Sequence, residues 1–162
     1  MPNTDKQSLR QQARRRKSAA RLFAVQALYQ MEVTDRTVDA VRREFEDHRF
    51  GERFEDHEME EGDVDHFRAL LERAVDEQAG IDQATDRALV ERWPLKRIDP
   101  TLRALFRAAG AELKGDTPPK VAITEFVEVA RAFFPEGREP KFVNAVLDHM
   151  AREMRPEAFE AR

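Results

Sequence analysis

Arg14-Arg15-Arg16-Lys17 puts four cations into one helical turn's worth of chain, with Arg10 and Arg21 about a turn to either side. Like charges three or four apart on a helix repel and weaken it slightly. A bound polyanion offsets that cost, and a solvated, frayed chain end avoids it. The residues alone leave both readings open. A second group, Lys141-Phe142-Val143-Asn144, falls where a helix should begin. Unpaired N–H groups and the helix dipole favour phosphate at such a start. An aromatic ring there can carry a base and an amide can read its edge. Phe142 also fits a core position at helical spacing from Val146, and on the residues alone that reading is favoured. Lys120, following two prolines, opens another helix and either completes the same basic surface or is a solvated first-turn lysine.

Catalytic chemistry finds less material. His48, His57, His66 and His149 show neither HxxxH nor HExxH spacing, so chelation from one helix has no support. Glu58, Glu60 and Glu61 lack the alternation around a glycine that a calcium loop needs. The dinucleotide-binding and P-loop glycine patterns and the GxSxG elbow are absent. With no cysteine, disulfides, thiolate zinc sites and cysteine nucleophiles are excluded together. Among 32 acidic residues nothing singles out one carboxylate pair. The expectation is a protein that binds without catalysing, with no metal and no cofactor.

The elements that must position these groups follow from composition and period. The 162 residues are 41% hydrophobic and 37% charged, enough for one core beneath a strongly ionic surface. No apolar run approaches the ~20 residues of a membrane span, and the basic N-terminus lacks a signal-peptide core. A cytoplasmic protein is expected. The net charge of −4 conceals an asymmetry. Residues 1–22 hold seven bases and one acid, whereas residues 32–65 hold fourteen acids and five bases. Such a chain has an oriented field.

Apolar residues recur at helical spacing throughout. A first helix is predicted from Ser8, through Ala20, Phe23, Ala24, Ala27, Leu28 and Met31. Residues 45–62 read as an acidic loop with at most a short helical turn. Asp63 caps a predicted helix through Phe67, Leu70 and Leu71 that stops near Gly80. Asp82 starts another that ends at Trp93-Pro94. Asp99-Pro100 opens a helix burying Leu102, Leu105, Phe106, Ala109 and Leu113. Helices over Val121–Phe134 and from Glu139 toward Pro156 follow. The predicted fold is all-α, about seven helices. Residues 1–12 form a basic, flexible extension, 13–156 one domain in two packed halves (13–80 and 81–156), and 157–162 a tail.

These stretches resemble the NusB family of bacterial transcription antitermination factors. The matching pieces are Ala13-Arg14-Arg15-Arg16, then Ala24-Val25-Gln26-Ala27-Leu28-Tyr29, Asp63-Val64-Asp65 and Phe67-Arg68. Leu105-Phe106-Arg107 with Glu112-Leu113, Pro118-Pro119-Lys120-Val121-Ala122-Ile123, and Lys141-Phe142-Val143-Asn144-Ala145-Val146-Leu147-Asp148 complete an ordered set over residues 13–151. The resemblance implies a NusB-like bundle without catalytic activity. It implies binding to the boxA element of ribosomal RNA leader transcripts together with NusE, a ribosomal small-subunit protein, within an RNA polymerase complex containing other Nus factors. Carried over by position, Arg14, Arg15 and Arg16 sit on the RNA backbone, and Lys17, next in the same basic turn, is counted with them as an RNA-binding candidate. Lys120, Lys141, Phe142 and Asn144 sit at or beside the RNA surface, with Phe142 as a stacking platform. The resemblance therefore favours the functional reading of the arginines and of Phe142. It also admits a homodimer of the free chain.

Thr124, Ala145, Ala111 and Leu102 depart from the residues usual in that family. Two rivals differ in function: a protein-interaction scaffold, and a helical module like that of RNA cytosine methyltransferases without its catalytic domain. The RNA reading expects the cations of the first helix and those of the last to converge into one patch.

Overall fold

The computed structural model describes residues 2–50, 53–54, 57–58, 63–89 and 98–160. The longest element, α1 (Pro2–Thr34), has proline at its first position and neither Gly nor Pro afterwards. It therefore begins before Ser8, and residues 2–12, expected as an extension, are its first turns. The helix ends at Asp35, whose φ of 57° is the left-handed conformation that Asp tolerates better than most residues. Its predicted stripe is buried from Ala20 to Leu28, while residues 5–17 are exposed.

A helix that the acidic composition concealed follows. In α2 (Val38–His48) Thr37 caps the start, its side chain accepting from the Ala40 N–H at 3.2 Å. Val41 and Phe45 supply the buried face. Phe45, expected in a loop, instead stacks on Phe67 at 5.8 Å and meets Phe23 edge-on at 6.2 Å. Burying such a ring is worth about 1.5–3 kcal/mol, and its neighbours Arg42, Arg43, Glu44 and Glu46 are good helix formers. Residues 45–48, the last turn of α2, are the one helical turn among the described residues of the segment expected as a loop; beyond it Arg53–Phe54 (β1) and His57–Glu58 (β2) pair antiparallel, Arg53 opposite Glu58.

Asp63 caps α3 (Val64–Asp76) as predicted, accepting from the His66 N–H at 2.9 Å. Helix α4 (Gln78–Leu89) runs through Gly80 and Asp82, the predicted stop and start. Asp82 pairs with Arg107 at 3.0 Å instead of capping a helix. The predicted end at Trp93-Pro94 lies outside the described residues. Asp99 caps α5 (Pro100–Leu113) through the Thr101 N–H at 2.7 Å. Helices α6 (Pro119–Phe133) and α7 (Glu139–Met154) complete the set, and Pro156–Phe159 adds one 3-10 turn. The last turn belongs to the segment expected as tail, and Arg152 lies 4.5 Å above its Phe159 ring.

Helix α5 is the hub, packing against α1, α3, α4, α6 and α7. Its crossing with α4 is close at Gly110, where a Cβ would stand 2.5 Å from the Ile81 side chain. Because α1 also packs on α2, α3 and α6, one hydrophobic cluster runs through both expected halves. Leu102 and Ala111 are buried in that cluster, so packing accounts for an apolar residue at each.

Candidate nucleic-acid interface

Successive helical residues point about 100° apart, so a run of four cations cannot share one face. Arg14 and Lys17, one turn apart, line an open groove of about 730 Å³ between α1 and the start of α6. Lys120, Val121 and Thr124 of α6 form its other wall, and Asp116, Thr117 and Pro118 of the α5–α6 loop close one end. Arg16 instead lines a groove on the α3 side with Leu9, Gln12, Asp63 and Asp65. There the Arg16 carbonyl accepts from the Asp63 N–H at 2.9 Å. All four cations are exposed, as is Lys120.

Lys141, Phe142 and Asn144 do not join them. Helices α6 and α7 are packed neighbours joined by residues 134–138, so the start of α7 adjoins the end of α6. Lys120 and Lys141 are therefore separated by most of the length of α6, roughly 20 Å at about 1.5 Å per residue. The single patch expected from the sequence is two separate groups. Lys141 and Asn144 are exposed, while Phe142 is half-buried, edge-on to Phe106 at 6.0 Å and 72°. The ring is thus committed to the core on one side. Glu139 occupies the first turn of α7 with Oε2 buried and unpaired, so phosphate at that helix start meets a carboxylate.

Arg21, counted among the basic residues, is withdrawn from the surface: it is 3% exposed. Its guanidinium grips buried Glu112 in a forked pair, Nε to Oε1 at 2.7 Å and Nη2 to Oε2 at 2.6 Å. Arg21 Nη1 also lies 3.4 Å from Glu125 Oε2, which accepts from Ser18 Oγ at 2.8 Å. His66 Nε2 stands 3.0 Å from Glu112 Oε1. Burial raises the Glu112 pKa, but hydrogen bonds from His66 and Arg21 and their charges outweigh it and lower it to about 2. This network ties α1 to α3, α5 and α6 one turn below Lys17. It thereby sets the rotation of α1 that aims Arg14 and Lys17 at α6. Sequence reasoning missed it, although an arginine inside the Ala20–Leu28 stripe and an acid between Ala111 and Leu113 were the signals.

At the far end of α1 a smaller groove of about 300 Å³ is mostly apolar, with Tyr29, Val33 and Phe133 beside Arg49. Among the described residues no cluster of His, Cys, Asp or Glu could hold a metal ion. No described helix is long and apolar enough to cross a membrane.

The bundle and its basic first helix are those of transcription antitermination proteins. The NusB family model matches residues 18–152. The chain belongs to the NusB family; it is a transcription antitermination factor and not an enzyme. It is 47% identical to the transcription antitermination protein NusB of Maricaulis maris over 98% of this chain and all of that one. With the NusB of Caulobacter vibrioides it shares 46% over 86% of this chain and 94% of the other. Among solved structures, NusB of T. maritima superposes with a TM-score of 0.63 at 29% identity, covering 91% of this chain and 97% of that one. A NusB in a complex of NusB and NusE with double-stranded RNA has the same fold, with a TM-score of 0.67 at 19% identity over 86% and 98%.

Proposed function

We propose that this chain binds boxA RNA of ribosomal RNA leader transcripts together with NusE, in the cytoplasm, as part of an RNA polymerase complex with other Nus factors. The observation that carries the RNA reading is the groove where Arg14 and Lys17 of α1 face Lys120 of α6 across exposed Val121. Three cations along a groove suit the backbone of a single strand, and exposed Val121 in its α6 wall suits the face of a base. Arg15 and Arg16 extend the positive field to either side. Lys141, Phe142 and Asn144 form a separate contact farther along the strand, with the solvent-facing side of the Phe142 ring as platform. A complex of NusB and NusE with RNA in a protein of the same fold supports both partners. Self-association of the free chain competes for the same exposed α1, so added RNA should shift a homodimer toward monomer in light scattering.

The test is an electrophoretic mobility assay on boxA RNA and a scrambled sequence, with and without NusE. Selective binding that NusE strengthens is the expected result. NusE binding with no effect of or on RNA is the outcome expected of a protein scaffold, and it would remove the RNA reading.

A further inference from the structure

The basic groove contains an acid without a hydrogen-bonded or ion-paired partner among the described residues. Asp116 lines it with Arg14, Lys17 and Lys120, is exposed, and its carboxylate makes no hydrogen bond or ion pair among the described residues. The other carboxylate there, Glu125, is held by Ser18 at 2.8 Å and Arg21 at 3.4 Å. The loop carrying Asp116 is pinned on both sides. The Gly115 N–H donates to the Glu112 carbonyl at 2.9 Å, and Arg155 donates to the Thr117 carbonyl at 2.5 Å. Arg73 of α3 packs so closely that a Cβ on Gly115 would meet its Nη1 at 2.4 Å.

An unpaired carboxylate on a held loop in a groove for a polyanion repels each phosphate that passes. It recovers that cost by accepting hydrogen bonds; the ribose 2′-OH offers one at every nucleotide and selects nothing, so discrimination comes from the donors on the base edges. Guanine offers two side by side, N1–H and the N2 amino group, which match the two oxygens of one carboxylate. Uracil offers a single N3–H between two carbonyl oxygens that repel the acid. We infer that Asp116 is a specificity-determining residue that selects guanine over uracil in the α1–α6 groove. It makes the groove discriminate by penalising the wrong occupant as well as rewarding the right one.

This rests on the RNA reading above, and the experiment separates the two. Fluorescence anisotropy is measured for the full chain on a ten-nucleotide uridine tract and on the same tract with one central guanosine. Wild type is expected to favour the guanosine strand by about tenfold, within the discrimination one bidentate contact provides. Asp116→Ala is expected to bind the uridine tract several-fold more tightly and to lose the preference, while Asp116→Glu keeps most of it. A preference absent from wild type, or unchanged in Asp116→Ala, overturns the role of Asp116 and leaves the groove's RNA binding standing. Absence of salt-dependent binding to both strands overturns the groove reading and this inference with it.

Discussion

At the scale of single residues, burial decides which charges serve the surface and which serve the fold. Glu112 is 2% exposed and carries a pKa of about 2 against an ordinary 4.5. A carboxylate with a depressed folded pKa contributes stability that is complete above its unfolded pKa and lost as pH falls through the folded value. On the order of 3 kcal/mol should therefore disappear between about pH 5 and pH 2. Urea unfolding from pH 7 downward measures it, and Glu112→Gln should flatten that part of the profile. A profile of equal slope in wild type and variant would show that the triad with Arg21 and His66 does not set acid stability. Phe142 is the converse case, a ring with one side in the core and one in solvent. Phe142→Ala is expected to lose roughly 1–3 kcal/mol of RNA affinity through lost stacking and a comparable amount of stability through lost contact with Phe106. Retained affinity with a lowered melting temperature would assign the ring to the core alone.

At the scale of elements, the long α1 turns a run of cations into separate contacts. Its rotation puts Arg14 and Lys17 opposite Lys120, and Arg16 beside Asp63 and Asp65. Each phosphate neutralised contributes about −0.7 to the log–log salt slope of single-strand binding. Arg14→Ala, Lys17→Ala and Lys120→Ala should each flatten that slope by up to this amount, and Arg16→Ala by clearly less. Equal flattening by all four would mean that RNA wraps the helix instead of lying in one groove. Helices were legible where apolar periodicity coincided with a cap, as at Asp63 and Asp99, because both signals are local. Helix α2 was hidden because its two buried residues, Val41 and Phe45, sit among charges, and the packing of Phe45 against Phe23 and Phe67 becomes visible only across the core. The start of α4 was misplaced because Gly80 and Asp82 carry boundary chemistry that tertiary contacts override. The cations were legible by type, but their division between grooves depends on helix phase and on Arg21. A lone sequence gives no measure of either.

At the scale of the whole molecule, the question is whether residues 13–80 and 81–156 melt together. Helix α1 belongs to the first stretch, yet it packs on α5 and α6 of the second. The Arg21–Glu112 fork and the His66–Glu112 contact both cross the same boundary, and so does the hydrophobic cluster. Neither half retains a closed core when the other opens, because α5 would lose α1 and α3 at once. Unfolding is thus expected as one transition, with far-UV circular dichroism and near-UV signals coincident. Arg21→Ala leaves Glu112 buried without its main counter-charge, a loss of roughly 3–5 kcal/mol by analogy with other buried pairs. It should lower the single midpoint without splitting it, and it should weaken RNA binding because α1 loses the anchor that sets its rotation. Two resolved transitions in that variant would instead mean that apolar packing between the halves is too weak to couple them. The ion network would then be what makes the bundle one cooperative unit.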